Sequence, residues 1–335
     1  MSTFIKLAAS ALLLVSALVQ AAPEAPLTPQ QRNQAIADIA GAFEQTYIFP
    51  EVGSAIARDL LARRARGEYD HVSASRDLAA LLSRHIDDIS HDKHTEVAYF
   101  EEDQLAAPPP ADPATVRKRA AARRARAKAA NYGFAAPQRL DGNIALVRFD
   151  SFYPPAEAAP FVHALMSDLA DADALILDLR ENGGGAAQLI PVLASYLFDE
   201  QPVHLYDTLD RRLGTRSEAW TAPALTGARF GGRKPVYILT SAGTISAAEN
   251  LAYTLQKLGR ATVVGERTVG AAHGSYGKPV SSHLVPMVAS RRIIHAVTKS
   301  DWDRSGVLPD IKAPAGEALD VALARARADL DRSAP

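Results

Sequence analysis

Two short apolar runs, each ending in a turn of small residues that opens a helical stretch, constrain the fold of this chain most. Ala174-Leu-Ile-Leu-Asp-Leu-Arg180 is nearly continuous in apolar character, as expected for a strand covered on both faces. Glu181-Asn182-Gly183-Gly184-Gly185 follows, and then a helical stretch from about Ala186 to Phe198. Tyr237-Ile-Leu-Thr-Ser-Ala-Gly-Thr-Ile-Ser246 repeats the arrangement. Its helical stretch carries Ala248, Leu251, Ala252, Leu255 and Leu258 at three- and four-residue intervals and stops at Gly259. Such junctions expose a side chain at the carboxyl edge of a sheet and aim free backbone N–H groups at whatever binds there.

The surrounding rhythm agrees. Gly142–Phe149 reads as a strand, Ala156–Ala170 as a helix and Ala174–Leu179 as the next strand; Pro235–Thr240, the Ser246 helix and Ala261–Val264 form another strand–helix–strand unit. This predicts an α/β layered domain with largely parallel strands. Ahead of it, helical spacing dominates from Thr28 to about Asp88. Thr28-Pro-Gln-Gln31 is a helix start with Pro29 at the first position, and Val52–Arg66 and Ala74–Ile89 repeat Ala, Leu and Ile at helical intervals. A small helical bundle is expected there. Between the two lie a stiff break, Ala106-Ala-Pro-Pro-Pro110, and a basic, Ala-rich run from Arg117 to Arg126. The run reads either as a nucleic-acid or membrane contact or as a solvated helix; the lack of aromatics and the balanced overall charge favour the helix, so no nucleic-acid partner is expected.

Each junction has two readings. Ser246-x-x-Glu249 is a capping box, or Ser246 is a nucleophile held at the head of a helix. Gly183–Gly185 is a tight turn, or a place where backbone amides must approach a ligand without side chains in the way. A phosphate loop is not among the choices, because neither G-x-x-x-x-G-K-[ST] nor G-x-G-x-x-G fits these glycines.

Taken together, Asp178-Leu-Arg-Glu-Asn-Gly-Gly-Gly185, Thr240-Ser-Ala-Gly-Thr-Ile-Ser-Ala-Ala-Glu249 and Gly265-Glu-Arg-Thr-Val-Gly270 resemble the signature blocks of the C-terminal processing (tail-specific) serine peptidases. That group includes the tricorn protease core and the interphotoreceptor retinoid-binding protein. Trp302-Asp-Arg-Ser-Gly-Val-Leu-Pro-Asp-Ile311 resembles the group's Gly-Val-x-Pro-Asp ending, and His91-Asp-Lys-His94-Thr95 its Asp-x-His-Thr element. The five blocks occur in the group's order across residues 85–312.

The resemblance implies a crotonase-like or Clp-protease-like layered catalytic domain and a serine peptidase acting on proteins or peptides. The group's Ser–Lys members carry a lysine just after the Thr-x-Gly of the third block. Here Thr268-Val-Gly270 is followed by Ala271, Ala272 and His273, so the chain is similar to the Ser–His branch. By that resemblance Ser246 is the nucleophile and His94 the base. Asp303 stands where the group usually has a Glu, and its shorter side chain departs from the pattern. His91 and His273 are substitute bases, and Lys278 lies far along its loop. The Ala247 N–H and a glycine amide, Gly184 or Gly185, are the expected oxyanion donors. Such chemistry needs a base near neutrality to activate a serine and amide donors where the oxyanion forms. A non-catalytic binder of an apolar ligand or peptide on the same fold is the other class. The group's frequent PDZ insertion is not expected, because too few residues lie between Phe100 and Phe134.

Composition narrows the chemistry. The 335 residues contain no cysteine, which excludes disulfides, cysteine nucleophiles and thiolate metal sites. Nine histidines show no H-E-x-x-H pattern, and neither a metal nor a cofactor is expected. Lys plus Arg number 37 against 38 Asp plus Glu, so nothing global calls for a strongly charged partner. Lys6, the apolar run from Leu7 to Val19 and small residues at Ala21 and Ala22 read as a secretory signal peptide, with an uncleaved anchor as the alternative. No later run reaches spanning length, so a periplasmic or secreted protein without stable membrane insertion is expected. The predicted division is a signal peptide over 1–21, helical domain over 28–100, connector over 101–130, catalytic domain over 131–315 and a C-terminal helix and tail over 316–335.

Overall fold

A computed structural model describes residues 25–101, 105 and 112–333. The expected signal peptide and the Ala106–Pro110 break lie outside the described residues.

Three helices come first: α1 (Pro29–Thr46), α2 (Pro50–Ala65) and α3 (Ser75–Ser90). The start of α1 is the one its sequence predicts. Thr28 Oγ1 accepts from Gln31 N at 3.2 Å, and Gln31 Oε1 accepts from Thr28 N at 3.0 Å, so two orphan amides are satisfied reciprocally. The helices bury Ile36, Ile39, Phe43, Ile56, Leu60, Leu78 and Leu82 against one another. The same core takes Leu284, Val288 and Ala289 from a strand nearly two hundred residues away.

Two sheets follow. The parallel one contains β3 (Ile144–Arg148), β4 (Ala174–Asp178), β7 (Val236–Thr240), β8 (Thr262–Gly265) and β11 (Ile311–Lys312), with β2 (Gln138–Leu140) antiparallel at one edge. Its alternating side chains enter two cores. Ala145, Val147, Leu175, Leu177 and Ile238 pack toward helices α5 (Pro155–Asp168), α6 (Leu189–Ser195) and α7 (Ala247–Lys257). Ile144, Leu146, Ile176, Tyr237 and Leu239 pack toward Ala318, Ala322 and Ala326 of α8 (Ala318–Ser333). Covering both faces is why these strands read as unbroken apolar runs.

The second sheet is antiparallel, an arrangement the strand–helix rhythm did not announce. Its spine is the twelve-residue β10 (Leu284–His295). On one side it pairs with β1 (Glu96–Tyr99) and then β5 (His204–Asp210), and on the other with β9 (Gly274–Gly277); β6 (Thr215–Trp220) extends the β5 edge. The basic run forms helix α4 (Pro113–Ala129), capped by Asp112, whose Oδ1 accepts from Ala114 N at 2.8 Å. Its arginines are exposed, as a solvated helix requires.

α6 is shorter than the stretch Ala186–Phe198 suggested. Gly185 is bridged in parallel to Phe152, and Ala186 N donates to Phe152 O at 2.7 Å, which keeps the chain extended beyond the glycines. Among the described residues no helix is long and apolar enough to cross a membrane.

Candidate active site

The Ser246 junction begins where β7 ends. Ser241 Oγ donates to Arg180 O at 2.5 Å, Thr244 Oγ1 donates to Leu179 O at 2.9 Å, and Ile245 N donates to Asn182 O at 3.3 Å. The turn before the helix is thereby stitched to the glycine loop after β4. Ser246 itself, half-buried, has φ 62° and ψ −119°, a region a non-glycine residue occupies at a cost of about 1–3 kcal/mol.

Glu249 helps hold it there. Its carboxylate is fully buried and accepts from Ser246 N (2.8 Å), Gly270 N (2.6 Å), Ala271 N (3.0 Å) and Thr268 Oγ1 (2.5 Å). Burial pushes its pKa up against the pull of these four donors, so the arrangement depends on all of them. The sequence shows only a local capping partner at this position; the grip on residues 268–271 is tertiary.

The glycine loop settles against the same point. Gly184 has φ 86°, and a Cβ there would come 2.8 Å from Ser246 Cβ. Its N–H donates to the buried Asn182 Oδ1 at 2.8 Å, so that amide is already engaged. Gly185 differs. A parallel bridge uses the atoms of its neighbours and turns its own N–H away from Phe152. Among the described residues the N–H groups of Gly185 and Ala247 have no hydrogen-bond partner, and both residues line the cleft that holds Ser246.

Two imidazoles line that cleft as well. His94 follows the exit of α3, where His91 takes φ 50° and ends the helix. Its N–H donates to Asp92 Oδ1 at 3.0 Å, and its Nδ1 is buried with no hydrogen-bond partner. Burial lowers the His94 pKa, and the nearby His273 lowers it further against the opposing pull of Asp92. Burial thus favours the neutral form of His94.

His273 is 1 % exposed, and its Nδ1 lies 2.7 Å from Asp92 Oδ2, which also accepts from Tyr47 Oη at 3.2 Å. Phe49 packs edge-on against the ring at 5.3 Å. Burial pulls the His273 pKa down, but the Asp92 hydrogen bond and charge, with Asp303 and Asp301, outweigh it and raise the net value. Asp303 Oδ1 lies 3.7 Å from His273 Nδ1 and makes no hydrogen bond. Burial raises the Asp303 pKa, His273 opposes this, and the charges of Asp92 and Asp301 add to it.

The structure therefore brings Ser246, Ala247, Gly185, His94 and His273 to one cleft, with Asp303 behind His273. His91 and Lys278 are exposed and outside the cleft lining. The Asp92–His273 pair spans 181 residues of sequence, and no spacing signal announces it. Asp92, His273 and Asp303 are also the grouping among the described residues whose ligand atoms lie close enough, within 4.8 Å, to hold a metal ion. Within the grouping Asp92 and His273 share a hydrogen bond, and Asp303 Oδ1 has none.

The cleft encloses about 680 Å³. Its opposite wall is a face of the antiparallel sheet, with Tyr206 and Thr208 of β5, Ser217 and Ala219 of β6, and Arg291 and Ile293 of β10. Concavity, a few convergent polar groups and two perturbed imidazoles are what a binding or catalytic site needs.

Residues 143–313, about half of the chain, match the profile of peptidase family S41, and residues 17–129 match the N-terminal domain of that peptidase in eukaryotic IRBP. A carboxyl-terminal-processing protease of Synechocystis sp. is 32 % identical over 176 residues, covering 50 % of this chain and 37 % of that protein. The chain thus spans little more than a third of that curated relative's length. A crystal structure of a Parabacteroides merdae protein superposes with a TM-score of 0.61 at 16 % identity, covering 90 % of this chain and 97 % of that one. The photosystem II D1 C-terminal processing protease superposes with a TM-score of 0.52 at 16 % identity, covering 86 % and 94 %. At such identities the likeness shows the shared fold.

Proposed function

We propose that this chain, which belongs to peptidase family S41, hydrolyses peptide bonds of proteins or peptides by acyl transfer through Ser246. The observation that carries the reading is the strained Ser246 at the head of α7, flanked by the unpartnered amides of Ala247 and Gly185 and facing two imidazoles across one cleft.

His94 is the better base. A general base must carry a free lone pair at working pH, and burial favours a neutral His94 while three carboxylates favour a protonated His273. Ser246 Oγ adds to the scissile carbonyl carbon and its proton passes to His94. The oxyanion that forms is met by the Ala247 and Gly185 amides, each worth about 3–4 kcal/mol in a comparable site. As the C–N bond breaks, protonated His94 gives that proton to the leaving amine. Water then repeats the sequence on the acyl-enzyme, returning Ser246 and releasing the new carboxyl group. Asp303 serves as the acidic member by steadying the His273 imidazolium beside His94.

A fluorophosphonate probe tests the nucleophile. Labelling is expected in the protein and in Ser217→Ala, a control from the opposite cleft wall, and lost in Ser246→Ala. Labelling that survives Ser246→Ala overturns the assignment. His94→Gln should abolish turnover, with His273→Gln weakening it less; the reverse ranking would exchange their roles. The apolar run near the start supports export to the periplasm or beyond, with a mature N-terminus near Ala22; N-terminal sequencing of exported protein checks this.

A further inference from the structure

Arg291 stands apart from the other arginines around the cleft. Arg292 donates to Asp301 Oδ2 at 2.7 Å, Arg216 to Asp207 Oδ2 at 2.6 Å, and Arg180 to Asp178 Oδ2 at 2.7 Å. Arg291 lines the cleft and is half-buried, and among the described residues its guanidinium makes neither a hydrogen bond nor an ion pair. Its register partner on β5, Asp210, makes no ion pair with it; Asp210 Oδ1 instead accepts from Leu213 N at 3.0 Å in the β5–β6 turn. Local packing leaves room for the side chain: a Cβ on Gly274 would lie 3.0 Å from Arg291 Nε, so the glycine lets the guanidinium lie close across β9. A guanidinium with five donors and no partner, partly withdrawn from water, is suited to the planar fork of a carboxylate.

We propose that Arg291 anchors a carboxylate of the bound peptide and so sets which peptides Ser246 acts on. The carboxylate comes from the peptide's free C-terminus or from an Asp or Glu side chain near the scissile bond, and the guanidinium serves either. The cleft's own acid, Glu218, accepts from Trp220 Nε1 at 2.9 Å on the β6 wall and makes no ion pair with Arg291. This inference deepens the peptidase reading and rests on the same cleft, but its test needs no turnover.

The experiment measures binding of fluorescein-labelled octapeptides to full-length Ser246→Ala protein by anisotropy. Three peptides share one neutral sequence: a free C-terminal carboxylate, the same chain amidated, and the amidated chain with one Glu near its middle. One of the carboxylate-bearing peptides should bind about tenfold or more tightly than the amidated neutral one, the range of a charge-assisted contact. Which of them does so identifies the source. Adding Arg291→Gln should remove that preference while leaving neutral binding unchanged, and Arg291→Lys should restore part of it; the preference should also shrink as salt rises. Near-UV circular dichroism on each variant confirms that the cleft persists. Equal binding of all three peptides, or a preference unchanged in Arg291→Gln, overturns the inference. Fluorophosphonate labelling without carboxylate preference removes only the Arg291 proposal; carboxylate preference without labelling removes only the catalytic one.

Discussion

Asp92→Asn is the substitution whose consequences can be worked furthest. Asp92 is 2 % exposed, and its carboxylate accepts from His273 Nδ1 (2.7 Å), His94 N (3.0 Å) and Tyr47 Oη (3.2 Å). Asparagine keeps one acceptor oxygen and turns an NH2 toward groups that donate, while His273 loses the negative charge that holds it protonated. Removing one partner of a buried pair costs about 3–5 kcal/mol. The pH dependence gives the mechanism away. Burial raises the Asp92 pKa, but the His273 hydrogen bond and charge and the His94 amide outweigh it and lower the net value. This contribution is present above the ordinary carboxylate value of about 3.9 and is lost as pH falls through the depressed one. The His273 pKa is raised, so its contribution is complete below the ordinary imidazole value of about 6.5 and is lost as pH rises through the elevated one. The pair therefore contributes fully between about pH 4 and 6.5. Urea unfolding followed by fluorescence of the buried Trp302 should show the full deficit of Asp92→Asn at pH 6 and a shrinking one at pH 9. A deficit under about 1 kcal/mol at pH 6, or one that does not change with pH, would refute the reasoning.

Other expectations follow from the same site. With His94 as base, kcat/KM should rise with pH along a limb centred below the ordinary imidazole range; a limb above pH 7 would exclude a buried, neutral His94. Gly184→Ala brings a methyl 2.8 Å from Ser246 Cβ at φ 86°, so the rate of fluorophosphonate labelling should fall by about a hundredfold, at a stability cost of about 1–3 kcal/mol; unchanged labelling would mean the loop yields freely. Glu249→Gln sets an NH2 against three amides and a hydroxyl and should cost about 3 kcal/mol or more in urea unfolding, with a cost near zero ruling out its clasp on residues 268–271.

The parallel sheet was legible because burial on both faces leaves an unbroken apolar signature, as in Ala174–Asp178 and Val236–Thr240. The antiparallel sheet left no such mark. β6 is mostly exposed and polar, and β10 carries Pro286, Ser290 and two arginines, so its pairing is decided by partners that sequence spacing cannot identify. Ser246 and the glycines announced themselves through local junction chemistry. The division between Gly184, bound to Asn182, and Gly185, left free, depends on a side chain reaching a backbone amide. The approach of His273 to Asp92 depends on two distant loops meeting, and Asp303 follows His273 in place of His94 for the same reason.

β10 has a further consequence for anyone recombining this protein with its relatives. Leu284 and Val288 fix one end of the strand in the helical core, while Arg291 and Ile293 at the other end face the cleft. Side chains alternate on either side of an irregularity between Ala289 and Arg291, so inserting or deleting one residue between those ends would turn one set inside out. A chimera that swaps the N-terminal helices therefore has to inherit the whole ribbon, or its crossover must fall in a loop on either side.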